Sequence, residues 1–429
     1  MKRIQSLSQS HFVQTRANFV KRMKPNSLAI FYSGDIFQKS ADATHNFFQN
    51  PDTFYLSGID QEETILILYP DAPNPLWKEN LFIKETSEYI KVWEGFKYTI
   101  GEAREISGIN HVLWNKGAKQ LLTTMMHYAE NVYVNLNEHD RAHFDGDYMD
   151  IRAFKNLKQE FPAHNYERSA PILSAMRVSK SPDEIKVMQQ AADITRDTFI
   201  KLLQEMRNFK SEHEIEAFIT YQFNLNKATH AYNPIIASGE NSCVLHYNDN
   251  NRPLVKGEIL LMDFGCSYSN YASDLSRTIP IGGKFSARQK QIYNATLDVF
   301  KACKKLVSTD MSLFEWNNDG KKIMEQKLIE IGMLKVDDVK NQDPSNPLYR
   351  KYFPHGLGHF LGLDVHDVGN HYHKIAENAV ITNEPGIYIW DEKLGVRIEN
   401  DLVVSSKGVV DLLESCPIEA EELEDLMNS

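Results

Sequence analysis

The pattern of apolar and polar positions changes character near Pro171. Upstream, short apolar runs at 28–32, 54–56, 64–69 and 81–83 read as strands, separated by polar segments and by turn signals such as Tyr69-Pro70-Asp71. Residues 1–172 are therefore expected to form an α/β unit. Its acids and histidines are scattered, which suits a structural or oligomerising role. Downstream, Ser181-Pro182-Asp183-Glu184, Ser211-Glu212-His213-Glu214 and Ser286-Ala287-Arg288-Gln289 each predict a capping box and a helix start. Behind the first, Ile185, Met188, Ala192, Phe199 and Leu202 make one apolar stripe; behind the third, Ile292, Ala295, Val299, Phe300 and Cys303 make another. These stripes are expected to be core. Strand pairs lie between the helices, so residues 173–429 read as helices alternating with antiparallel hairpins, an α+β arrangement.

Two of those hairpins carry acids where an apolar residue would be ordinary. The buried-looking run Ile259-Leu260-Leu261-Met262 ends in Asp263, and the chain returns through Ser273-Asp274. A turn centred between Tyr268 and Ser269 would oppose Asp263 to Asp274 on one face. In the second, a turn centred on Asp391-Glu392 would oppose Glu384 to Glu399, with Arg397 on the same face as Glu399. Two carboxylates about 4.5 Å apart repel by about 4 kcal/mol at an effective dielectric near 20. Four converging acids need protons or cations, and two divalent ions would balance four carboxylates. The segment from Phe353 to Asp367 adds His355, His359 and His366 among glycines. Its spacing fits neither G-x-G-x-x-G nor H-E-x-x-H. One imidazole with four carboxylates is a hard donor set that suits manganese, with cobalt, zinc or iron as alternatives.

Charge and composition narrow the classes. The net charge of −11 argues against nucleic acid as a partner, because phosphate binding needs clustered Lys and Arg. No apolar run approaches the roughly 20 residues of a membrane span, and Met1-Lys2-Arg3 leads into polar residues rather than a secretory core. The four cysteines, Cys243, Cys266, Cys303 and Cys416, form no C-x-x-C pair, so a reducing cytoplasm is expected and Cys266 reads as a small core residue.

Asp263, Asp274, His359, Glu384 and Glu399 follow the order and spacing of the metal ligands of pita-bread metallopeptidases, which this chain resembles. The resemblance is closer to Xaa-Pro aminopeptidase (aminopeptidase P). It is carried by Gly239-Glu240-Asn241 with Leu245-His246-Tyr247, by Pro354-His355-Gly356-Leu357-Gly358-His359, by Leu363-Asp364-Val365-His366-Asp367-Val368-Gly369 and by Glu384-Pro385-Gly386-Ile387-Tyr388. In the N-terminal part it is carried by the string from Phe48 to Gly58. The resemblance implies a ribonuclease-H-like N-terminal domain and a C-terminal pita-bread domain of two pseudo-symmetric halves. It implies two divalent metal ions, with Asp274 and Glu399 shared, Asp263 completing one shell, and His359 and Glu384 the other. Glu384 is expected to move the proton. His246 and His366 are expected to contact substrate or steady the tetrahedral intermediate, His355 and Tyr388 to line the pocket, and Arg397 and Tyr232 to orient the liganding carboxylates. The expected substrates are peptides with proline second, and the expected assembly is a dimer or tetramer. The rival readings are a dipeptide-restricted Xaa-Pro dipeptidase and, in another class, a metal-free peptide-binding module of the same fold. Methionine aminopeptidase fits less well, because it needs no partner for residues 1–170, and a metal-free creatine-hydrolase type fits poorly with five intact ligand types.

Overall fold

Caps decide where helices begin in this chain, and in one place they override an apolar run. The computed structural model describes residues 7–141 and 146–429; the opening Met1-Lys2-Arg3 lies outside them. The chain divides into one unit ending at Met176 and a second, Arg177–Ser429.

The first unit is built on a six-stranded mixed sheet in the order His111–Trp114, Glu79–Ile83, Ile65–Leu68, Ser27–Tyr32, Asn131–Val134, Asn165–Arg168. Ser27–Tyr32 pairs antiparallel with Ile65–Leu68 and parallel with Asn131–Val134, and all six of its residues are buried. Such a strand must be covered on both faces. Leu28 and Ile30 pack with Leu122, Met125 and Leu157 from the helices Ala118–Met126 and Met149–Glu160. Phe31 meets Phe19 of the helix Gln9–Val20 edge to face at 5.4 Å. The run 54–56, expected as a strand, lies instead in the helix Pro51–Ser57. Asn50 Oδ1 accepts from the backbone N–H groups of Asp52 and Thr53, Pro51 occupies the first turn, and Gly58 closes the helix at φ 70°. Three apolar residues carry no period, so the flanking caps decided the outcome.

In the second unit the boxes at Ser181 and Ser286 form as expected and open the helices Pro182–Glu205 and Ala287–Leu306. Met188, Ala192, Phe199 and Leu202 are buried and Ile185 is partly so; the second stripe is buried throughout. The box at Ser211 does not form, although the helix Glu212–Leu225 does start there. Ser211 is drawn into a bridge with Pro253, and Glu214 accepts from Lys210 N at 2.6 Å instead of from Ser211. A further box, at Ser312 and Glu315, opens Leu313–Glu330.

Each half of this unit contributes a helix pair and an antiparallel strand set. In one, Ile259–Asp263 lies between Ile235–Ser238 and Ser276–Pro280. In the other, Asn400–Ser405 lies between Ala379–Asn383 and Gly408–Asp411, beside the hairpin Gly386–Ile389 and Leu394–Arg397. The halves are joined by a bridge from Ser276 to Glu399 and by Thr278 Oγ1, which accepts from Arg397 N at 3.1 Å. Those joints bring the acids of the two hairpins into one place.

Candidate metal centre

The turns of the two acid-bearing hairpins set which residues face each other. In the first, Ser269 and Asn270 both have positive φ, 51° and 67°, and Tyr268 pairs with Tyr271 around them. Two central left-handed residues make the primed turn that matches strand twist. The register then places Asp263 opposite Ser276, not opposite Asp274 as expected. The expected turn centre was one residue early, which shifts the ladder by two. A shift of two keeps every side chain on its face, and the acids still converge. The Tyr232 hydroxyl lies 2.6 Å from Asp263 Oδ1 and 2.5 Å from Asp274 Oδ1. Gly265 allows this approach: a Cβ there would fall 1.8 Å from the Ser273 carbonyl oxygen. In the second hairpin Gly386 pairs with Arg397 and Ile389 with Leu394, the register that the spacing predicted. It continues as Ile398 N donating to Pro385 O at 3.2 Å, which points Glu384 and Glu399 at one another's strand ends.

Asp274 and Glu399 are buried, 5% and 2% exposed. Desolvation, then the neighbouring Glu399 and Asp263, hold the Asp274 pKa well above the carboxylate range. Desolvation, then Glu384 and Asp263, do the same to Glu399. A hydroxyl has one proton, so Tyr232 must share it between the two carboxylates, and the raised pKa of Asp274 favours a proton on that acid when no cation balances it. Arg397 spreads its guanidinium over three acceptors: Asp263 Oδ2 at 2.6 Å, Ser276 Oγ at 2.9 Å and the Tyr388 hydroxyl at 3.0 Å. Ser276 in turn donates to Glu399 Oε2 at 2.7 Å. Burial alone would depress the Arg397 pKa, but Tyr388, Asp263 and Glu399 more than offset it, so the side chain stays charged.

His359 enters from the loop between the helices and the second strand set. Its Nδ1 lies 3.0 Å from the Phe360 carbonyl, which fits an Nδ1–H donor and turns Nε2 toward Asp274 Oδ2 at 3.7 Å and Glu384 Oε1 at 3.8 Å. Gly358 lets this loop press on the strand Ala379–Asn383, since a Cβ there would sit 2.1 Å from the Thr382 carbonyl oxygen. The His366 ring stands edge-on to His359, centroids 4.0 Å apart. His355 Nε2 lies 2.8 Å from the Tyr388 hydroxyl and Nδ1 2.7 Å from the Gly356 carbonyl. Arg397 therefore donates to Tyr388, Tyr388 to His355, and His355 to Gly356. Desolvation, with Arg397 nearby, lowers the His355 pKa to about 3, so its ring is neutral. His246 is exposed and acts electrostatically on His355.

The residues fit a divalent cation. Asp274, His359 and Glu399 each offer a donor atom within 4.8 Å of the others, and buried acids that hold protons are acids that would exchange them for a metal. Two polar residues here escaped the sequence reading. Ser276 and Asp401, the latter accepting from Asp274 N at 3.1 Å, each lie two positions beyond an acid, where strand alternation could have pointed to them.

Comparison with known proteins gives a consistent picture. The model of metallopeptidase family M24 matches residues 186–406, and that of the aminopeptidase P N-terminal domain matches residues 12–133. The chain is 33% identical to the Xaa-Pro aminopeptidase of Haemophilus influenzae and 31% identical to that of Escherichia coli, covering 98% of both chains in each case. The structure of E. coli aminopeptidase P with the inhibitor Pro-Leu matches with a TM-score of 0.88 at 30% identity, over 99% of either chain.

Proposed function

The chain belongs to metallopeptidase family M24 in its Xaa-Pro aminopeptidase form, and from that premise we propose how its own residues remove the first residue of a peptide whose second residue is proline. Its full-length likeness to Xaa-Pro aminopeptidases favours this over a dipeptide-restricted enzyme. The buried acids speak against the metal-free binding module.

Asp263, Asp274, His359, Glu384 and Glu399 would hold two divalent ions, and the carboxylate-rich set suits manganese. When bound, such ions polarise the scissile carbonyl and lower the pKa of a water. Glu384 is the acid best placed to move a proton: its side chain is 20% exposed, against 13% for Asp263 and 7% for Asp274. It takes the proton from the attacking water and delivers it to the departing prolyl nitrogen, which has no hydrogen of its own. Neutral His355, packed edge-on to Phe353 and hydrogen-bonded to Tyr388, offers an uncharged wall for a proline ring. His246 and His366 face the substrate and steady the oxyanion. Arg397 and Tyr232 keep the carboxylates aimed inward. The reading is carried by the convergence of Asp274, His359 and Glu399, supplied by both halves of the unit.

The cytoplasm is the proposed compartment, supported by four cysteines that are all buried thiols. Among the described residues no helix is long and apolar enough to cross a membrane. A dimer or tetramer is proposed, supported by Tyr89, Val92 and Trp93, which stand exposed on the helix Glu88–Glu94.

A peptide panel varying second residue and length, run with manganese and then with chelator, tests the reading. The expected result is proline-restricted release of the first amino acid that chelation abolishes and manganese restores, with elemental analysis giving two ions per chain. Equal cleavage of peptides with alanine second, or cleavage of dipeptides alone, would overturn it.

A further inference from the structure

The segment 361–368, which carries His366, has no helix or strand, yet Asp367 at its end has a side chain only 1% exposed. Two buried cations flank that carboxylate. Arg177 Nη2 donates to Asp367 Oδ1 at 2.5 Å and to Asp364 Oδ2 at 2.6 Å. Lys180 Nζ donates to Asp367 Oδ2 at 3.0 Å and to the Arg177 carbonyl at 2.6 Å. The Arg177 and Lys180 side chains are 4% and 1% exposed. Two cations and two carboxylates cancel, so the group is neutral as a whole. The loop backbone is tied to it: Asp367 N donates to Phe360 O at 2.8 Å, Val368 N to Asp367 Oδ1 at 3.0 Å, and Gly362 N to Asp364 O at 3.0 Å. A Cβ at Gly362 would fall 2.1 Å from Asp367 Oδ2 and 2.9 Å from Lys180 Nζ, so the ion cluster lies directly against the loop.

Stability alone is a poor reason for such a cluster, because buried ion pairs are often no better than the apolar residues that could replace them. Its value is directional: charge-assisted hydrogen bonds to both oxygens of Asp367 and to Asp364 fix a loop that has no ladder of its own. We propose that Arg177 and Lys180 are positioning residues, which clamp the 361–368 loop through Asp364 and Asp367 and so hold His366 against His359 in the orientation the reaction needs. The proposal rests on the reading of His366 given above.

The test is a double-mutant cycle in the full-length, metal-loaded chain with an Xaa-Pro peptide. Lys180→Met leaves Arg177 on Asp367, so the buried carboxylate keeps a partner. It is expected to lower kcat by about 10- to 100-fold, the range for lost support behind a functional histidine, with KM changed by less than about twofold. Lys180→Arg should restore most of the loss. His366→Ala should lower kcat comparably, and the double variant should be no worse than His366→Ala alone, because both remove one interaction. Multiplying effects, or an undiminished kcat in Lys180→Met, would overturn the clamp. An unchanged kcat in His366→Ala would overturn the His366 reading itself and the clamp with it, and is recognisable because it needs no change at Lys180. Should Lys180→Met be recovered unfolded, Arg177→Lys, which keeps the charge but not the planar guanidinium whose Nη2 reaches both Asp364 and Asp367, enters the same cycle and is expected to give the same non-additive loss.

Discussion

One side chain links the acids to the pocket wall. Arg397 reaches Asp263, Ser276 and Tyr388 with separate nitrogens. A lysine would keep the charge but could not reproduce a planar fork. Arg397→Lys is therefore expected to fold and to retain divalent metal about 10- to 100-fold more weakly, the usual effect of losing a hydrogen-bond partner of a ligand. Metal content after dialysis against a buffered series of free manganese concentrations measures this, and retention equal to the unaltered chain would remove Arg397 from the support of the site. Arg397 was legible in the sequence because it lies two residues before Glu399 in a strand whose register held. Alternation puts Ser276 on the face of Asp274, but its partner was not legible: only the bridge between the two halves brings it to Glu399. Nothing local to residues 273–278 announces a partner more than a hundred residues away.

Elements carry the next level of control, and their turns matter more than their bodies. The first hairpin holds Asp263 and Asp274 together only while residue 265 lacks a side chain, because the Ser273 carbonyl occupies the space a Cβ would take. Gly265→Ala must push the returning strand aside, since the clash is with backbone rather than with a flexible side-chain end. The expected outcome is a loss of about 1–3 kcal/mol, the range for overpacking a dense interior, together with weaker metal binding. Urea unfolding and metal analysis on the same sample check both parts; a variant that loses stability but binds metal normally would show that hairpin spacing does not set the acid geometry. The same hairpin shows what sequence could resolve. The alternation of faces was readable, and it survives a register error of two. The turn centre was not, because serine gives no sequence signal of the left-handed backbone, φ 51°, that Ser269 adopts. Helix starts were readable wherever serine, proline and acid coincided, as at Ser181. The start at Pro51 was missed because the apolar run 54–56 has no period to set against Asn50-Pro51, whereas at Ser211 the helix starts as expected and only the box fails, the Ser211 backbone being claimed by Pro253.

At the scale of the molecule, the metal site is a stability device as well as a reaction centre. Asp274 and Glu399 are buried acids whose folded pKa values lie well above those of an unfolded chain, chiefly through desolvation and then through neighbouring acids, Glu399 and Asp263 for Asp274 and Glu384 and Asp263 for Glu399. In the metal-free chain they hold protons that the unfolded chain has released by about pH 4–5. Their contribution to stability is therefore complete below that range and is lost as pH rises through the folded values. A divalent cation reverses the sign: it binds the deprotonated carboxylates, so its contribution grows with pH until both are ionised. Binding to the folded state alone adds about 2.7 kcal/mol at a free concentration one hundred times the dissociation constant. The melting temperature of the metal-loaded chain should exceed that of the chelated chain, and the gap should widen steadily from about pH 5 to about pH 8. Replacing Asp274 by asparagine should flatten that slope while keeping the fold, because an uncharged amide needs neither proton nor metal to be buried. A gap that stays constant or narrows across this range, in a chain that still binds metal, would mean that the ions sit on groups other than these buried carboxylates.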